Sequence, residues 1–238
     1  MFKFRGKDMD KTRTELLLGR GASERLCRSH VAVFGVGGVG GFAAEALARA
    51  GVGEITLVDS DEVSPSNINR QIIALHSTVG CAKVDVMRER ILDINPDAKV
   101  NALKFFYSEE TKGKIDFSAF DYVVDAIDSV KSKIDLIYTA KSHGVQIISA
   151  MGAGKKLDPT AFEVSDISKT SVCPLARAVR TGLKKLGITS LKVVYSKETP
   201  TLSPIDAPES DGAPGSVSFV PSVMGLIMGG EVIKDLIK

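Results

Sequence analysis

The fold is decided by residues 31–61, VAVFGVGGVGGFAAEALARAGVGEITLVDSD. The first four residues of this stretch are an apolar run, typical of a strand buried on both faces of a parallel sheet. A glycine turn follows, and apolar residues then recur at three- and four-residue spacing, which predicts a helix that ends at Gly51. A second apolar run, residues 55–58, predicts the next strand and ends at Asp59.

The glycine turn of this unit indicates a nucleotide site. Gly35, Gly37, Gly38 and Gly40 leave no side chain in the path of a phosphate that approaches the N–H groups at the start of the helix. An acid at the end of the second strand, here Asp59, is the usual partner of ribose hydroxyls. We therefore predict an α/β fold with a Rossmann-like, mostly parallel sheet and helices on both faces.

Length and composition limit the class of protein. A chain of 238 residues can bury a full core as a single domain. Within it we distinguish an N-terminal helical segment (1–30), a nucleotide-binding core (31–154) and a basic, mixed α/β C-terminal portion (155–238). No apolar run approaches the ~20 residues of a membrane span, so we expect no membrane partner.

The cysteines and the N-terminus predict a cytoplasmic protein. Cys27, Cys81 and Cys173 are far apart and form no CxxC pair, which favours a reducing compartment over a disulfide framework or a zinc site. The first residues lack the apolar segment of a secretory signal. A net charge of +2 does not by itself indicate a polyanionic partner.

Polar side chains crowd the stretch after the second strand. Two cations and several amides near a glycine turn suit a triphosphate, because reaction at phosphorus requires neutralisation of the non-bridging oxygens. A nicotinamide site has no such need. Taken singly, either cation could instead form a surface salt bridge. The predicted nucleotide contacts here are Asp61, Asn67, Asn69, Arg70, Gln71 and Lys83.

Another candidate ligand follows the strand predicted at residues 120–124. Asp128 lies at its carboxyl end, where open α/β sheets bind ligands, and its oxygens could hold Mg²⁺ against the phosphates. The alternative is that Asp128 caps the helix predicted from Val130 to Ser142, a role that Ser129 could fill equally well.

Apolar patterns predict the other elements. They are a short helix at 13–21, a helix from Lys83 to Asn95 with Val84, Met87, Ile91 and Leu92 facing inward, strands at 99–106 and 145–150, and a short strand followed by an apolar C-terminal helix after residue 215. The proline-rich stretch 199–215 predicts a loop that covers the site.

A long basic stretch begins at residue 167. No acid occurs between Ile167 and Lys197. A helix that begins at Pro174 would place Leu175, Val179, Leu183 and Leu186 on one face and its cations on the other. Such a face suits a nucleic-acid backbone, although an ordinary solvated helix face is the alternative. The candidate RNA-binding residues are Lys169, Arg177, Arg180, Lys184 and Lys185.

A series of motifs stands in order along residues 13–150. They are GVGGVG at 35–40, Asp59 with Asp61, NINRQ at 67–71, VG at 79–80 with Lys83, NP at 95–96 and DAIDS at 125–129. In this order they resemble the ATP-binding core of the ubiquitin-activating-enzyme superfamily, which includes the adenylyltransferases of molybdopterin and thiamine biosynthesis.

Further motifs resemble one branch, the tRNA threonylcarbamoyladenosine dehydratases. They are RTELLLG at 13–19, DAIDSVKSK at 125–133, MGAGKKLDPT at 151–160, DISKT at 166–170 and FVPSVMGLIMGGEVI at 219–233. This resemblance covers nearly the whole chain. It implies an ATP-dependent enzyme that cyclises N6-threonylcarbamoyladenosine in tRNA by activating the threonyl carboxylate.

The resemblance also implies roles for particular residues. Arg70, Lys83 and Asp128 would act in catalysis with ATP and Mg²⁺, and Ser129 would belong to the nucleotide site. Arg13 would reach into the site of a partner subunit, which makes a homodimer the expected functional unit, although a solvated helix end is the alternative for Arg13. A monovalent cation and a sulfurtransferase-system protein are further candidate ligands.

Two alternative functions predict different chemistry. A sulfur-carrier adenylyltransferase would depend on Cys173 as a thioester-forming residue, but the chain lacks the two CxxC pairs that many such enzymes carry. For Cys173 itself, the alternative is a small residue that packs before Pro174. A nicotinamide-dependent oxidoreductase, or a non-catalytic nucleotide-binding module, would bind NAD(H) without consuming ATP.

Overall fold

The computed structural model describes residues 9–201 and 214–238, and these contain a seven-stranded sheet in the order β3-β2-β1-β4-β5-β7-β6. The strands are β1 (His30–Phe34), β2 (Glu54–Val58), β3 (Lys99–Leu103), β4 (Tyr122–Asp125), β5 (Gln146–Ala150), β6 (Phe162–Asp166) and β7 (Lys192–Ser196). All neighbouring strands are parallel except β6 and β7. The predicted Rossmann-like α/β class is confirmed.

Helices cover both faces of the sheet. They are α1 (Thr12–Leu18), α2 (Arg20–Arg28), α3 (Gly40–Ala50), α4 (Lys83–Ile94), α5 (Val130–Ser142), α6 (Pro174–Lys185) and α7 (Phe219–Leu236). One apolar core lies between the sheet and helices α3, α4 and α7, and the other lies under α5 and α6. No helix of residues 9–201 or 214–238 is long and apolar enough to cross a membrane.

Helices α3 and α7 pack tightly against each other. A Cβ atom on Gly225 would lie 2.2 Å from the Val39 carbonyl oxygen, and one on Gly229 would lie 2.7 Å from the Ala46 Cβ. These glycines therefore allow α7 to touch the backbone of the turn that leads into α3. Because Gly38 faces Pro221 of α7, this contact also closes one side of the glycine turn.

The last turn of α7 is bonded to the amino-terminal ends of β4 and β7, at the edge of the sheet opposite the glycine turn. Asp235 accepts a hydrogen bond from the Tyr122 hydroxyl and forms an ion pair with Lys192, both at 2.8 Å. Burial alone would raise the pKa of Asp235, but the hydrogen bonds from Lys192, Lys238 and Tyr122 lower it to about 2. These bonds connect α7 to the first residues of β4 and β7.

The structure corrects several predicted elements. The segment 13–21 is not one helix, because Gly19 has a φ of 82° and separates α1 from α2. Strand β3 ends at Leu103 rather than at residue 106. Leu92 does not face inward but is exposed. The predicted strand before α7 is absent, since residues 214–218 are irregular.

The C-terminal portion also differs from the prediction. Strands β6 and β7 were not predicted, and they extend the main sheet next to β5. Helix α6 begins at Pro174 as expected, but it buries Ala176 with Val179 and Leu183, whereas Leu186 is exposed beyond its end. The predicted covering loop lies mostly outside the described residues.

Candidate active site

A cleft of about 980 Å³ opens at the carboxyl ends of β1, β2, β4 and β5. This is the edge where parallel α/β sheets bind their ligands. The cleft brings together most of the residues that the sequence predicted for a nucleotide. These are Gly35, Gly37, Gly38, Asp59, Asp61, Asn67, Arg70, Gln71, Lys83 and Asp128.

The glycine turn forms the floor of the cleft through close backbone contacts. Gly35 has a φ of 85°, and a Cβ there would lie 2.7 Å from the Ala126 carbonyl oxygen. A Cβ on Gly40 would lie 1.8 Å from the Gly35 oxygen, so only glycine fits at this position of the turn. Gly40 does not line the cleft. Gly37 faces the cleft, with only the Gln71 amide nearby.

Asp59 fastens this turn to the loop after β2. One carboxylate oxygen accepts a hydrogen bond from the Val36 N–H at 2.7 Å, and the other accepts one from the Asp61 N–H at 2.8 Å. Burial raises the pKa of Asp59. The carboxylate is thus held in a fixed orientation at the end of β2, where it can accept a hydrogen bond from a ribose hydroxyl.

Lys83 contributes a buried ammonium group at the start of α4. Its Nζ lies 2.7 Å from the exposed carboxylate of Asp61. Burial would raise the pKa of Asp61, but the hydrogen bond and charge of Lys83 outweigh it and lower that pKa. Because the Asp61 side chain is open to solvent, a phosphate entering the cleft can share the ammonium with it.

The cation Arg70 is held by its neighbours. Its guanidinium donates to the Ser66 carbonyl and to the Asn69 side-chain oxygen, each at 2.9 Å. Asn69 in turn donates to the Ser216 carbonyl. Asn69 therefore supports Arg70 and does not line the cleft as predicted.

Gln71 has a buried side-chain oxygen that is available to a ligand. Its side chain is buried, and its Oε1 has no hydrogen-bond partner among the residues that the structure describes. A buried acceptor without a donor is costly. Because Gln71 lines the cleft beside Gly37, a ligand that donates a hydrogen bond there would satisfy it.

Asp128 is exposed in the centre of the cleft. Ser129 occupies the N-cap position of α5, and neither of the two side chains caps that helix. Ser129 does not line the cleft. No group of three or more His, Cys, Asp or Glu side chains in the described ranges could hold a metal ion. A Mg²⁺ ion at Asp128 would need phosphate oxygens or waters as its other ligands.

A buried ion pair that was not predicted from the sequence lies at the end of β4, just before Asp128. The Lys133 ammonium lies 2.8 Å from both oxygens of Asp125, and both side chains are fully buried. Asp125 also accepts hydrogen bonds from Ser149 and from the Ile127 N–H. Through its bond to Ile127, Asp125 holds the loop that leads to Asp128. The only sequence signal for the ion pair is a lysine one turn into the helix that follows the acid.

The basic helix α6 begins at the rim of the cleft. Arg177, Lys184 and Lys185 are exposed on it, and Lys169 is exposed just before it. Arg180 was wrongly predicted to face solvent with them. Its guanidinium donates to the Ile167 carbonyl at 3.2 Å and to the Thr170 hydroxyl at 2.6 Å, so it fixes the preceding loop.

Arg13 lies outside the cleft, exposed on α1. Its neighbours Leu16 and Leu17 are 83% and 84% exposed. Two adjacent leucines with so little cover on a surface helix are typical of an interaction site.

Comparison with known proteins identifies the family. The ThiF family model matches residues 11–238. The chain belongs to the ThiF family. Over 95% of its length it is 49% identical to the Bacillus subtilis tRNA threonylcarbamoyladenosine dehydratase, of which the match covers 94%.

Solved structures of a second relative have the same fold. The ThiF-family chain is similar to the Escherichia coli tRNA N6-threonylcarbamoyladenosine dehydratase in complex with AMP, with a TM-score of 0.86 and 37% identity. The same enzyme in complex with ATP gives a TM-score of 0.86 at 35% identity. Both matches cover 94% of this chain and 92% of the E. coli chain.

Replacing Asp61 by Asn tests the Lys83 pair. We expect a loss of about 1 kcal/mol of unfolding free energy at pH 7, kept small by the exposure of Asp61. Because the folded-state pKa of Asp61 is lowered, its contribution is present above the ordinary pKa of 3.8 and is lost as the pH falls through the folded-state pKa.

Urea unfolding of both proteins from pH 7 to pH 3 measures this effect. The difference between them should shrink as the pH falls, whereas Asp97→Asn, at an exposed acid after α4, should match the wild type throughout. A difference that is independent of pH would contradict the pairing.

Proposed function

We propose that this ThiF-family chain is an ATP-dependent tRNA threonylcarbamoyladenosine dehydratase. The observation that supports this best is the single cleft that combines a glycine turn, a fixed ribose-binding acid and two cations. The near-full-length likeness to dehydratases supports the choice of substrate. A hydride-transferring enzyme would not need Arg70 and Lys83 beside the turn.

The first step activates a poor electrophile. A carboxylate oxygen of the threonyl group attacks the α-phosphorus of ATP, and the bond to pyrophosphate breaks, which leaves an acyl-adenylate. Arg70 and Lys83 neutralise the charge that grows on the phosphate oxygens. Asp128 would hold Mg²⁺, which when bound supplies further charge neutralisation.

The second step closes a ring. The carbamoyl group of the same substrate attacks the activated carbonyl, the bond to AMP breaks, and a proton is released. The net change in the nucleoside is the loss of one water. Because both groups belong to one molecule, proximity favours the five-membered ring, and no protein nucleophile is needed.

This mechanism assigns Cys173 a packing role. Its side chain is buried at the start of α6, with its sulfur 3.5 Å from the position of a Cβ on Gly152. A sulfur-carrier adenylyltransferase would instead need this thiol as an accessible nucleophile. Cys173→Ala therefore separates the two functions.

We infer that the functional unit is a homodimer in the cytoplasm. The exposed Leu16 and Leu17 would be covered by a second copy, which would bring Arg13 to the partner's cleft. The exposed cations of α6 would bind the tRNA backbone. A monovalent cation and a sulfurtransferase-system protein are further candidate ligands of this assembly.

Mass analysis of the modified nucleoside tests the activity directly. Purified wild-type protein with ATP and threonylcarbamoylated tRNA should give a product lighter by one water. Arg70→Ala should lower the rate by at least about a hundredfold, because it removes charge stabilisation from the reacting phosphate. Cys173→Ala should retain activity, because no step of the proposed mechanism uses its thiol. Binding of a dinucleotide with no use of ATP would contradict the proposal.

Charge reversal on α6 tests the RNA surface. With both Lys184→Glu and Lys185→Glu, tRNA binding should weaken, and the slope of log K against log salt should become shallower by about 0.7–0.9 for each lost phosphate contact. Binding measured across a salt series gives the slope. The pair Arg28→Glu and Lys114→Glu, at exposed positions outside α5 and α6, controls for net charge. An unchanged slope in the α6 variant would exclude this helix.

Subunit mixing tests the role of Arg13. Arg13→Ala and Asp128→Asn should each be inactive alone. If Arg13 acts in the partner's site, a mixed dimer keeps one intact site, so an equimolar mixture should recover about a quarter of wild-type activity. Product formation after subunit exchange measures the recovery. No recovery, although exchange has been demonstrated, would place Arg13 outside the partner's site.

A further inference from the structure

The residues that were predicted to bind the nucleotide line only one half of the cleft. Along the sheet edge the order is β2, β1, β4 and β5, with Asp59 and the glycine turn at one end and Asp128 in the middle. Beyond Asp128 the walls come from residues 151–156 after β5 and from residues 173–175 at the start of α6. We call this region the β5 half of the cleft.

The β5 half carries positive charge without acids. Lys155 and Lys156 line it, and the described residues that line it include no acidic side chain. Helix α6 begins against the same space, where the positive end of its dipole lies. This electrostatic environment favours an anion.

Lys156 is the residue with the unusual environment. It is only 4% exposed. Its Nζ donates to the Glu198 carbonyl oxygen at 2.5 Å, and no carboxylate oxygen of the described residues lies within ion-pair distance of it. The nearby carboxylate of Glu198 is used elsewhere, since it accepts from the N–H groups of Leu157 and Asp158. A buried ammonium with only a carbonyl partner leaves donors available for an anionic ligand.

The backbone holds this lysine in place. Lys155 has a φ of 59°, and its N–H donates to the Gly215 carbonyl while its own carbonyl accepts from the Thr201 N–H. Gly154 packs directly on Pro214. The segment that presents Lys156 is therefore braced on both sides, as a preorganised binding group requires.

We infer that Lys156 binds the threonyl carboxylate of the substrate and makes the β5 half of the cleft the acceptor subsite. The inference rests on the proposed function. The carboxylate is favoured over a backbone phosphate, because Lys156 is buried inside the cleft while the exposed cations of α6 lie outside it. From this subsite the carboxylate would reach the α-phosphate of ATP in the middle of the cleft, beside Asp128.

Binding without ATP tests the assignment. The affinity of wild-type protein is measured for tRNA with and without the threonylcarbamoyl group, and the ratio of the two affinities gives the discrimination. Lys156→Gln keeps a donor for the Glu198 carbonyl but removes the charge, and it should reduce the discrimination about tenfold. Lys156→Arg should restore much of it, and Lys141→Gln, on the exposed end of α5, should leave it unchanged.

Other results would overturn the inference. Unchanged discrimination in Lys156→Gln would show that Lys156 does not contact the carboxylate. An equal loss of affinity for both tRNAs would make Lys156 a phosphate contact, and a loss confined to ATP affinity would assign it to the nucleotide half. Equal affinity of the wild-type protein for the two tRNAs would show that the cleft has no such subsite. Product formation tests the proposed function separately.

A second measurement does not depend on how the variants fold. On wild-type protein, the free threonylcarbamoyl nucleoside should compete for binding about tenfold better than its carboxamide, in which the carboxylate is neutral. Equal competition by the two nucleosides would overturn the inference.

Discussion

Backbone contacts that leave no room for a Cβ atom determine the geometry of the cleft. Gly35 rests on the Ala126 carbonyl, Gly40 on the Gly35 carbonyl and Gly225 on the Val39 carbonyl. These contacts bring the turn after β1, the loop after β4 and helix α7 to fixed separations. Asp59 and the Asp125–Lys133 pair then add hydrogen bonds to the same segments. The backbone of the glycine turn and the loop that carries Asp128 are therefore held in fixed positions relative to each other.

Three lysines of the described residues are buried, and their partners distinguish their roles. Lys133 faces a buried carboxylate, so its charge is matched within the protein and its role is to hold a loop. Lys83 faces an exposed carboxylate, and Lys156 faces a backbone carbonyl. Neither of these two is fully matched, and both line the cleft. A lysine whose charge is matched by a buried carboxylate is thus structural, whereas the two lysines without such a partner are available to a ligand.

The glycine turn and the polar stretch that line one end of the cleft were predictable, because local signals specify them. A glycine turn between an apolar strand and a helix has few other structural uses, and the polar stretch at 67–71 follows it directly. Lys156 was not predictable in this way. Its burial depends on Glu198, which is distant in sequence and adjacent only because β6 and β7 join the sheet next to β5. Neither strand was predicted, so the contact between Lys156 and Glu198 was not predicted either.

Arg180 and Asn69 illustrate a second limit of sequence reasoning. Helical spacing placed Arg180 on a solvated face, but a long guanidinium side chain can turn back to carbonyl groups of the preceding loop, as it does at Ile167. Asn69 was assigned to the ligand and instead supports Arg70. A pattern indicates which residues are near a site but not the direction of each side chain.

The packing of α3 against α7 has a consequence for biosynthesis. Helix α3 belongs to the βαβ unit of β1 and β2, whereas α7, which covers it, follows β7. During translation, the apolar surface of α3 remains uncovered until α7 has left the ribosome. The nascent chain therefore passes through a prolonged stage at which this surface is open to chaperones and to aggregation.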